Sequence, residues 1–175
     1  EDEKRFYTWT LQSHIDLAKA VWLDYCECKM IDTIAREPLW RHLINYRCGT
    51  GHSVSFVGNV HEGPHALNSR NTTRMRPGMV VTDEPGVYET DLVGIRIENE
   101  LVCVHKADNQ YGTFLGFEPL MFVPIATSPI LPGVLDKDEI AWLNDYHRQV
   151  FAKLAPHLND EERSWLAEKC AAIGC

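Results

Sequence analysis

The segment Cys48-Gly-Thr-Gly-His52 is followed along the chain by three further motifs that frame single polar side chains. These motifs are Asn59-Val-His61-Glu-Gly-Pro, Thr82-Asp-Glu84-Pro-Gly-Val-Tyr88 and Gly94-Ile-Arg96-Ile-Glu98-Asn-Glu. Each motif sets an imidazole or a carboxylate among glycine residues or apolar residues that favour strands. Manganese, cobalt and zinc accept nitrogen and oxygen ligands together. The combination of His52, Glu84 and Glu98 therefore indicates a divalent metal site built on short strands and turns.

Each of these residues also has a simpler interpretation when it is taken alone. A histidine after glycine is commonly a turn or surface residue, and Glu-Pro-Gly is a turn because proline presets φ and glycine accepts positive φ. Ile95 and Ile97 alternate with Arg96 and Glu98, as in a strand with one face in water. The interpretation as a site depends on the ordered set of motifs and not on any single residue.

Composition limits the class of protein to which the chain can belong. At 175 residues, with 45% hydrophobic and 24% charged residues, it is suited to one globular domain. The net charge of −8 argues against a nucleic-acid partner, which normally requires a basic face. No apolar run approaches the roughly 20 residues of a membrane helix, and no signal peptide is recognisable. Six cysteines without a regular spacing are interpreted as free, buried thiols, which predicts a cytoplasmic location.

The hydrophobic pattern predicts helices at the two ends of the chain and strands in the middle. We expect the strands at Val54–Val57, Met79–Thr82, Gly94–Val104 and Leu120–Ile125. The predicted helices cover 8–23, 29–45 with an interruption near Pro38, 136–155 after Asp136, and a last short segment with Asn159 as N-cap and Glu162 three residues on. The predicted fold class is therefore α+β with a mainly antiparallel sheet.

The motifs together resemble the catalytic half of aminopeptidase P, the Xaa-Pro aminopeptidase of the pita-bread metallopeptidases. The stretches Phe117-Glu-Pro-Leu-Met-Phe-Val-Pro124 and Asp138–His147 are similar to the C-terminal extension of the longer enzymes of this group. The resemblance implies that 1–175 is the C-terminal portion of a pita-bread catalytic domain, with 117–175 as the extension. The implied fold is a partial pita-bread fold, a curved and mainly antiparallel sheet backed by helices.

The resemblance also implies a role for each matching residue. His52 and Glu84 match metal ligands, Glu98 matches the glutamate that bridges two metals, and His61 matches a histidine at the substrate near the scissile bond. Arg96 matches an arginine beside the bridging glutamate, and Glu84 is also expected to shuttle protons. The implied reaction is hydrolysis of the N-terminal Xaa-Pro bond of a peptide by a metal-bound hydroxide, with two manganese ions in a complete site. The implied assembly is a homodimer.

Two departures from the family pattern leave a second function open. Cys48 stands where the family has a histidine, and we place it, with His61 and the nearby His65, among the residues that contact substrate. The family's two aspartate ligands, eleven positions apart, have no counterpart before His52. Either they lie on a preceding piece of polypeptide or the protein never had them. In the second case the chain is a non-catalytic pita-bread domain that binds a peptide or protein partner.

Overall fold

The computed structural model describes residues 1–174, which form two compact units. The first, the sheet unit, comprises Trp9–Met121, and the second, the helical unit, comprises Glu1–Thr8 together with the residues from Phe122 onward. None of the helices within 1–174 combines the length and the apolar character that a membrane-spanning helix requires.

The sheet unit is built around four antiparallel strands in the order β1-β8-β7-β4. Opposed apolar residues from neighbouring strands, such as Val81 of β4 and Leu101 of β7, are fully buried and form the core of this unit. Two short antiparallel pairs, β2 with β3 and β5 with β6, complete it. The strands are β1 Val21–Leu23, β2 Gly51–His52, β3 Ala66–Leu67, β4 Val80–Asp83, β5 Gly86–Glu89, β6 Val93–Arg96, β7 Asn99–Asn109 and β8 Gly112–Pro119. The predicted α+β class with antiparallel pairing is confirmed.

The first two helices end earlier than the hydrophobic pattern predicts. Helix α1 covers Asp2–Ala18, so both ends of the predicted helix 8–23 are wrong. The helix begins six residues earlier, and Val21–Leu23 pairs with β8 instead. Helix α2 covers Cys28–Trp40 and contains Pro38, which is buried inside the last turn. Helical periodicity cannot distinguish these segments, since a β-branched and aromatic run takes either structure according to its partners.

Two of the predicted strands, Val54–Val57 and Leu120–Ile125, are wrong. Val54–Val57 lies in an irregular loop in which Phe56 and Val57 are exposed, since they have no neighbouring strand to cover them. Leu120–Ile125 also lacks strand structure, and the true last strand is β8, which precedes it.

The predicted strand Gly94–Val104 is in fact two strands that belong to different sheets. Strand β6 pairs with β5, whereas β7 pairs with β4 and β8, and the chain changes sheet at Ile97 and Glu98. A turn at residues 90–92 folds β6 back onto β5, and the chain then leaves this hairpin to join the main sheet as β7.

The helical unit confirms the two predicted helix starts at the end of the chain. Helix α3, Lys137–Leu154, begins at Asp136, and α4, Asp160–Lys169, begins at Asn159. Both starts are capping boxes, in which a glutamate three residues on bonds back to the cap. Their core consists of Tyr146, Val150, Ala155 and Leu166.

The cysteines within the described residues are free thiols, as predicted, but the expectation that they are buried holds only for Cys28 and Cys103. They are Cys26, Cys28, Cys48, Cys103 and Cys170. Burial raises the pKa of both the Cys28 and the Cys103 thiol to about 11, so neither is a reactive thiolate near neutral pH. Cys175 lies outside the described residues.

Stability of the helical unit should fall as the solution is acidified, because of His147. Its ring is fully buried, and Nε2 accepts a hydrogen bond from the Ile125 N–H at 3.1 Å, which requires that nitrogen to be unprotonated. Burial lowers the pKa of His147, so below its unfolded value of about 6.5 the unfolded chain binds more protons than the folded one. We expect full stability above that pH and a loss of at most about 1.4 kcal/mol per pH unit below it.

Urea unfolding between about pH 5 and pH 8 measures this dependence. His147→Gln should flatten the slope, whereas the same change at the exposed His157 should leave it intact. Equal slopes in His147→Gln and the unaltered chain would show that another group is responsible.

Candidate functional site

The site begins where β2 lies against the end of β4 without any side chain between them. A Cβ atom at Gly51 would lie 1.8 Å from the Thr82 carbonyl oxygen, so only glycine permits this approach. The His52 N–H donates to Thr82 Oγ1 at 2.9 Å, and the Glu84 N–H donates to the Thr50 carbonyl at 2.8 Å. These two backbone contacts align the side chains of His52 and Glu84.

His52 and Glu84 form the centre of the site. His52 Nε2 lies 3.0 Å from Glu84 Oε1, while Nδ1 lies 3.1 Å from the Ser53 carbonyl. The Ser53 carbonyl and Glu84 Oε1 are both acceptors, so a neutral ring donates to only one of them. With the proton on Nδ1, the Nε2 lone pair faces Glu84 Oε1, an arrangement that a cation between the two atoms would stabilise. Thr82 Oγ1 donates to the same Glu84 oxygen at 2.9 Å. Glu84 is 8% exposed and thus a carboxylate that is nearly buried and fully hydrogen-bonded.

Arg96 neutralises the second oxygen of Glu84. Its Nη1 forms an ion pair with Glu84 Oε2, and its Nε donates to the Tyr88 hydroxyl at 2.7 Å. The guanidinium also lies over the Tyr88 ring, 5.6 Å from its centre. Tyr88 and Arg96 lie on the paired strands β5 and β6, so this hairpin sets the direction from which the guanidinium reaches Glu84.

His61 and Cys48 lie at the same cavity as His52 and Glu84. The His52 and His61 rings are 4.0 Å apart at their centres. The cavity has a volume of about 330 Å³. Its lining residues are Cys48, Gly49, Gly51, His52, His61, Ala66, Asn68, Glu84 and Arg96. Five of the seven side chains that the sequence singles out therefore meet in one place.

The remaining two, Glu98 and His65, do not line this cavity. Glu98 is exposed just after β6, and its pKa is raised by partial burial and then by the neighbouring charge of Glu84. His65 is buried with Nε2 at 2.7 Å from the Val80 carbonyl, which ties the end of its loop to β4. Its geometry is that of a residue that holds the loop after His61, and the predicted substrate contact of His65 stays a prediction.

Sequence reasoning missed Thr82 and Tyr88, which set the positions of the charged groups. Thr82 lies two residues before Glu84, so the period of an extended chain could have placed the two on the same side. Asp83, between them, lies on the other side, where it is fully buried and forms an ion pair with His14 at 3.1 Å. Tyr88 carries no such signal, because its partner Arg96 is reached only through the pairing of β5 with β6.

The donor set suits a divalent cation, although it is incomplete. The 3.0 Å between His52 Nε2 and Glu84 Oε1 is about the spacing of two adjacent ligands around an ion with bonds near 2.1 Å. Within residues 1–174, however, no three His, Cys, Asp or Glu side chains lie close enough together to hold an ion. His52 and Glu84 therefore fit as two ligands of a site that needs further groups.

Family models match nearly the whole chain. The model of metallopeptidase family M24 matches residues 1–105, and the model of the C-terminal region of peptidase M24 matches residues 113–173.

Curated relatives are similar over almost all of this chain. It is 39% identical to aminopeptidase P1 of Lotus japonicus over 98% of its length, and 43% identical to aminopeptidase P2 of Arabidopsis thaliana over 94%. The matched regions cover 27% and 24% of those two proteins, so the chain spans about a quarter of the relatives' length.

Solved structures show the same fold. The crystal structure of X-prolyl aminopeptidase from Caenorhabditis elegans, described as a cytosolic enzyme with a di-nuclear active site, matches with a TM-score of 0.92 at 37% identity. That match covers 99% of this chain and 29% of the other. The prolidase of Pyrococcus furiosus matches with a TM-score of 0.57 at 27% identity over 69% of this chain. The predicted partial pita-bread fold is confirmed.

Proposed function

The chain belongs to metallopeptidase family M24, and from this membership we propose that it supplies the histidine and glutamate side of the active site of an Xaa-Pro aminopeptidase. The observation that carries the proposal is the meeting of His52, His61, Glu84 and Arg96 at one cavity, with His52 Nε2 and Glu84 Oε1 3.0 Å apart. The substrate would be a peptide with proline at its second position. The relatives' names as aminopeptidases P support this substrate class.

The histidine, glutamate and arginine side chains of the site each have a definite part in such a reaction. His52 Nε2 and Glu84 would hold a divalent cation, with Glu98 as a further carboxylate once the site is complete. The cation would supply Lewis-acid polarisation and a lowered pKa for water. His61 would donate a hydrogen bond to the oxygen of the scissile carbonyl as negative charge develops there. Glu84 would shuttle a proton from the attacking water to the leaving amine, with Arg96 and Tyr88 fixing the orientation of its carboxylate.

Three finer features belong to the same proposal. We propose manganese as the metal, in agreement with a nitrogen and oxygen ligand set and with the di-nuclear site of the Caenorhabditis relative. A cytoplasmic location agrees with the free thiols and with the cytosolic description of that relative. A homodimer is the proposed assembly, on the strength of the family resemblance.

A peptide-binding module without catalysis is the second candidate. It is favoured by Cys48 in the place of a histidine, because a thiol is a weak donor and has no second nitrogen. It is also favoured by Glu84, whose two oxygens are already paired with Thr82 and with Arg96. The two candidates differ in one measurable property, metal-dependent cleavage.

A chimera tests the proposed reaction. The chain replaces the matching 29% of the Caenorhabditis X-prolyl aminopeptidase, so that the relative provides the rest of the di-nuclear site. We expect the chimera to cleave an Xaa-Pro peptide with added manganese or cobalt and to lose that activity with a chelator. The 175-residue chain by itself should bind metal weakly and show little cleavage, since it lacks the aspartate ligands.

His52→Ala in the chimera should abolish cleavage, whereas His157→Ala, a change of the same kind at an exposed position of the helical unit, should not. A well-folded chimera that binds the peptide and never cleaves it would favour the binding module. Full activity of the 175-residue chain in the presence of a chelator would refute the scheme.

A further inference from the structure

A second and larger cavity adjoins the site in the sheet unit. Its volume is about 560 Å³, and it shares Cys48, Gly49 and Asn68 with the cavity that contains His52 and Glu84. A chain held in one cavity can therefore continue into the other. Extended peptide advances about 3.3–3.6 Å per residue, so the next few residues of a bound peptide are within reach.

The larger cavity is positively charged. Three arginines line it, Arg36, Arg47 and Arg70, and no carboxylate does. Arg36 is buried and its charge is paired with Asp32. Arg47 and Arg70 are exposed, and within residues 1–174 their guanidinium groups have no hydrogen-bond or ion-pair partner. Two unpaired guanidinium groups at one concave surface are unusual for a chain whose net charge is −8.

Both free arginines stand on backbone that is fixed by hydrogen bonds. Arg36 donates to the carbonyl oxygens of Tyr46 and Cys48, each at 2.9 Å, so the residue between them, Arg47, is held in place. On the other side, the Asn68 side-chain oxygen accepts the Arg70 N–H at 3.0 Å. A fixed backbone lowers the entropy that is lost when a ligand pairs with these side chains.

The cavity wall also suits the apolar part of a peptide. Trp40 lines it, and its Nε1 donates to Asn45 Oδ1 at 3.1 Å, which fixes the indole ring. Guanidinium groups bind carboxylates with two parallel hydrogen bonds, and an indole face accommodates the methylene groups next to them.

We infer that this arginine cavity selects peptides that carry an acidic side chain in the first few residues after the proline. The inference rests on the proposed function, because the neighbouring site must receive the Xaa-Pro end for the downstream residues to reach Arg47 and Arg70. It extends that function by naming a substrate class, since two exposed guanidinium groups attract an acidic side chain to this surface although the net charge of the chain is negative.

The test is binding of amidated Ala-Pro peptides to the 175-residue chain, measured by calorimetry. Glutamate is placed one, two or three residues after the proline and compared with glutamine at the same position. We expect one glutamate position to bind about tenfold more tightly than its glutamine counterpart at low salt, and the preference to weaken as salt is added. A neutral peptide with a free C-terminal carboxylate shows whether the terminus can replace the side chain.

Arg47→Gln with Arg70→Gln should reduce the ratio of the affinities for the glutamate and glutamine peptides from about tenfold to about one. Arg74→Gln with Arg76→Gln is the matched control, because these exposed arginines border a different cavity and change the net charge equally. Equal affinity for glutamate and glutamine peptides, a preference that survives Arg47→Gln with Arg70→Gln, or an equal loss in the control would overturn the inference. An acidic preference in binding combined with an inactive chimera would leave this inference standing and reject the proposed reaction.

Discussion

Replacing Arg36 by methionine is expected to lower the free energy of unfolding by about 3–5 kcal/mol. Arg36 Nε donates to Asp32 Oδ2 at 2.7 Å, and both side chains are buried, with Asp32 only 1% exposed. The change leaves the Asp32 carboxylate inside the protein without its cation, and it leaves the carbonyl oxygens of Tyr46 and Cys48 without donors. Removing one partner of a buried ion pair destabilises a protein by far more than the intact pair stabilises it.

The surface pair Arg41–Glu37 provides the control for this prediction. It also joins an arginine to a carboxylate four residues earlier, at the C-terminal end of the same helix, but both side chains are more than half exposed. Arg41→Met should therefore cost about 0.5 kcal/mol or less. Urea unfolding of both variants measures the difference, and similar losses would mean that the Arg36 network contributes no more than a surface ion pair.

The second large effect is expected at Gly51. A Cβ atom there would overlap the Thr82 carbonyl oxygen at 1.8 Å, and the atom in conflict is backbone, which cannot rotate away. Gly51→Ala must separate β2 from β4, and we expect a loss of about 3 kcal/mol or more. The separation also breaks the contact from the His52 N–H to Thr82 Oγ1, so His52 should move away from Glu84.

Gly94→Ala is the matched control, because it lies in a short strand and a Cβ there meets only the Tyr88 ring at 3.5 Å, an ordinary contact. Circular dichroism and urea unfolding compare the two variants. A chemical-shift change of the His52 ring in Gly51→Ala but not in Gly94→Ala would confirm the link between this close approach and the site. Unaltered stability in Gly51→Ala would show that β2 and β4 separate freely.

The two predictions concern the two sides of the same loop. Arg36 holds the carbonyl oxygens of Tyr46 and Cys48, and Gly51 lets the next residue, His52, reach Glu84. Between them they fix both the arginine cavity and the smaller cavity beside it. A defect at either position should therefore weaken peptide binding as well as stability.

Local chemistry was sufficient to predict the helix starts in the last third of the chain. At Asp136 and Asn159 the cap and the glutamate three residues on bond to each other's backbone, so a few neighbouring residues specify where the helix begins. The same holds for β4, whose buried residues form one short continuous run. His52, Glu84 and Glu98 were recognisable because glycine, proline and β-forming residues frame them.

The other secondary-structure elements depend on pairing between segments that are distant in sequence. Val21–Leu23 is a strand because β8 lies beside it, whereas Val54–Val57 has no neighbour and remains a loop. No local pattern predicts that the chain changes sheet at Ile97 and Glu98, since apolar and charged residues alternate in the same way on both sides of this point.

Packing likewise decided which charges meet. The pairing of β5 with β6 directs Arg96 to Glu84, and the turn of chain between α2 and β2 brings Arg47 to the same cavity as Arg70. Side chains such as these are far apart in sequence, and their distances depend on the register of strands and not on spacing along the chain. The motifs therefore identified which residues can bind a metal or a substrate, and the tertiary contacts determined which of those residues lie together.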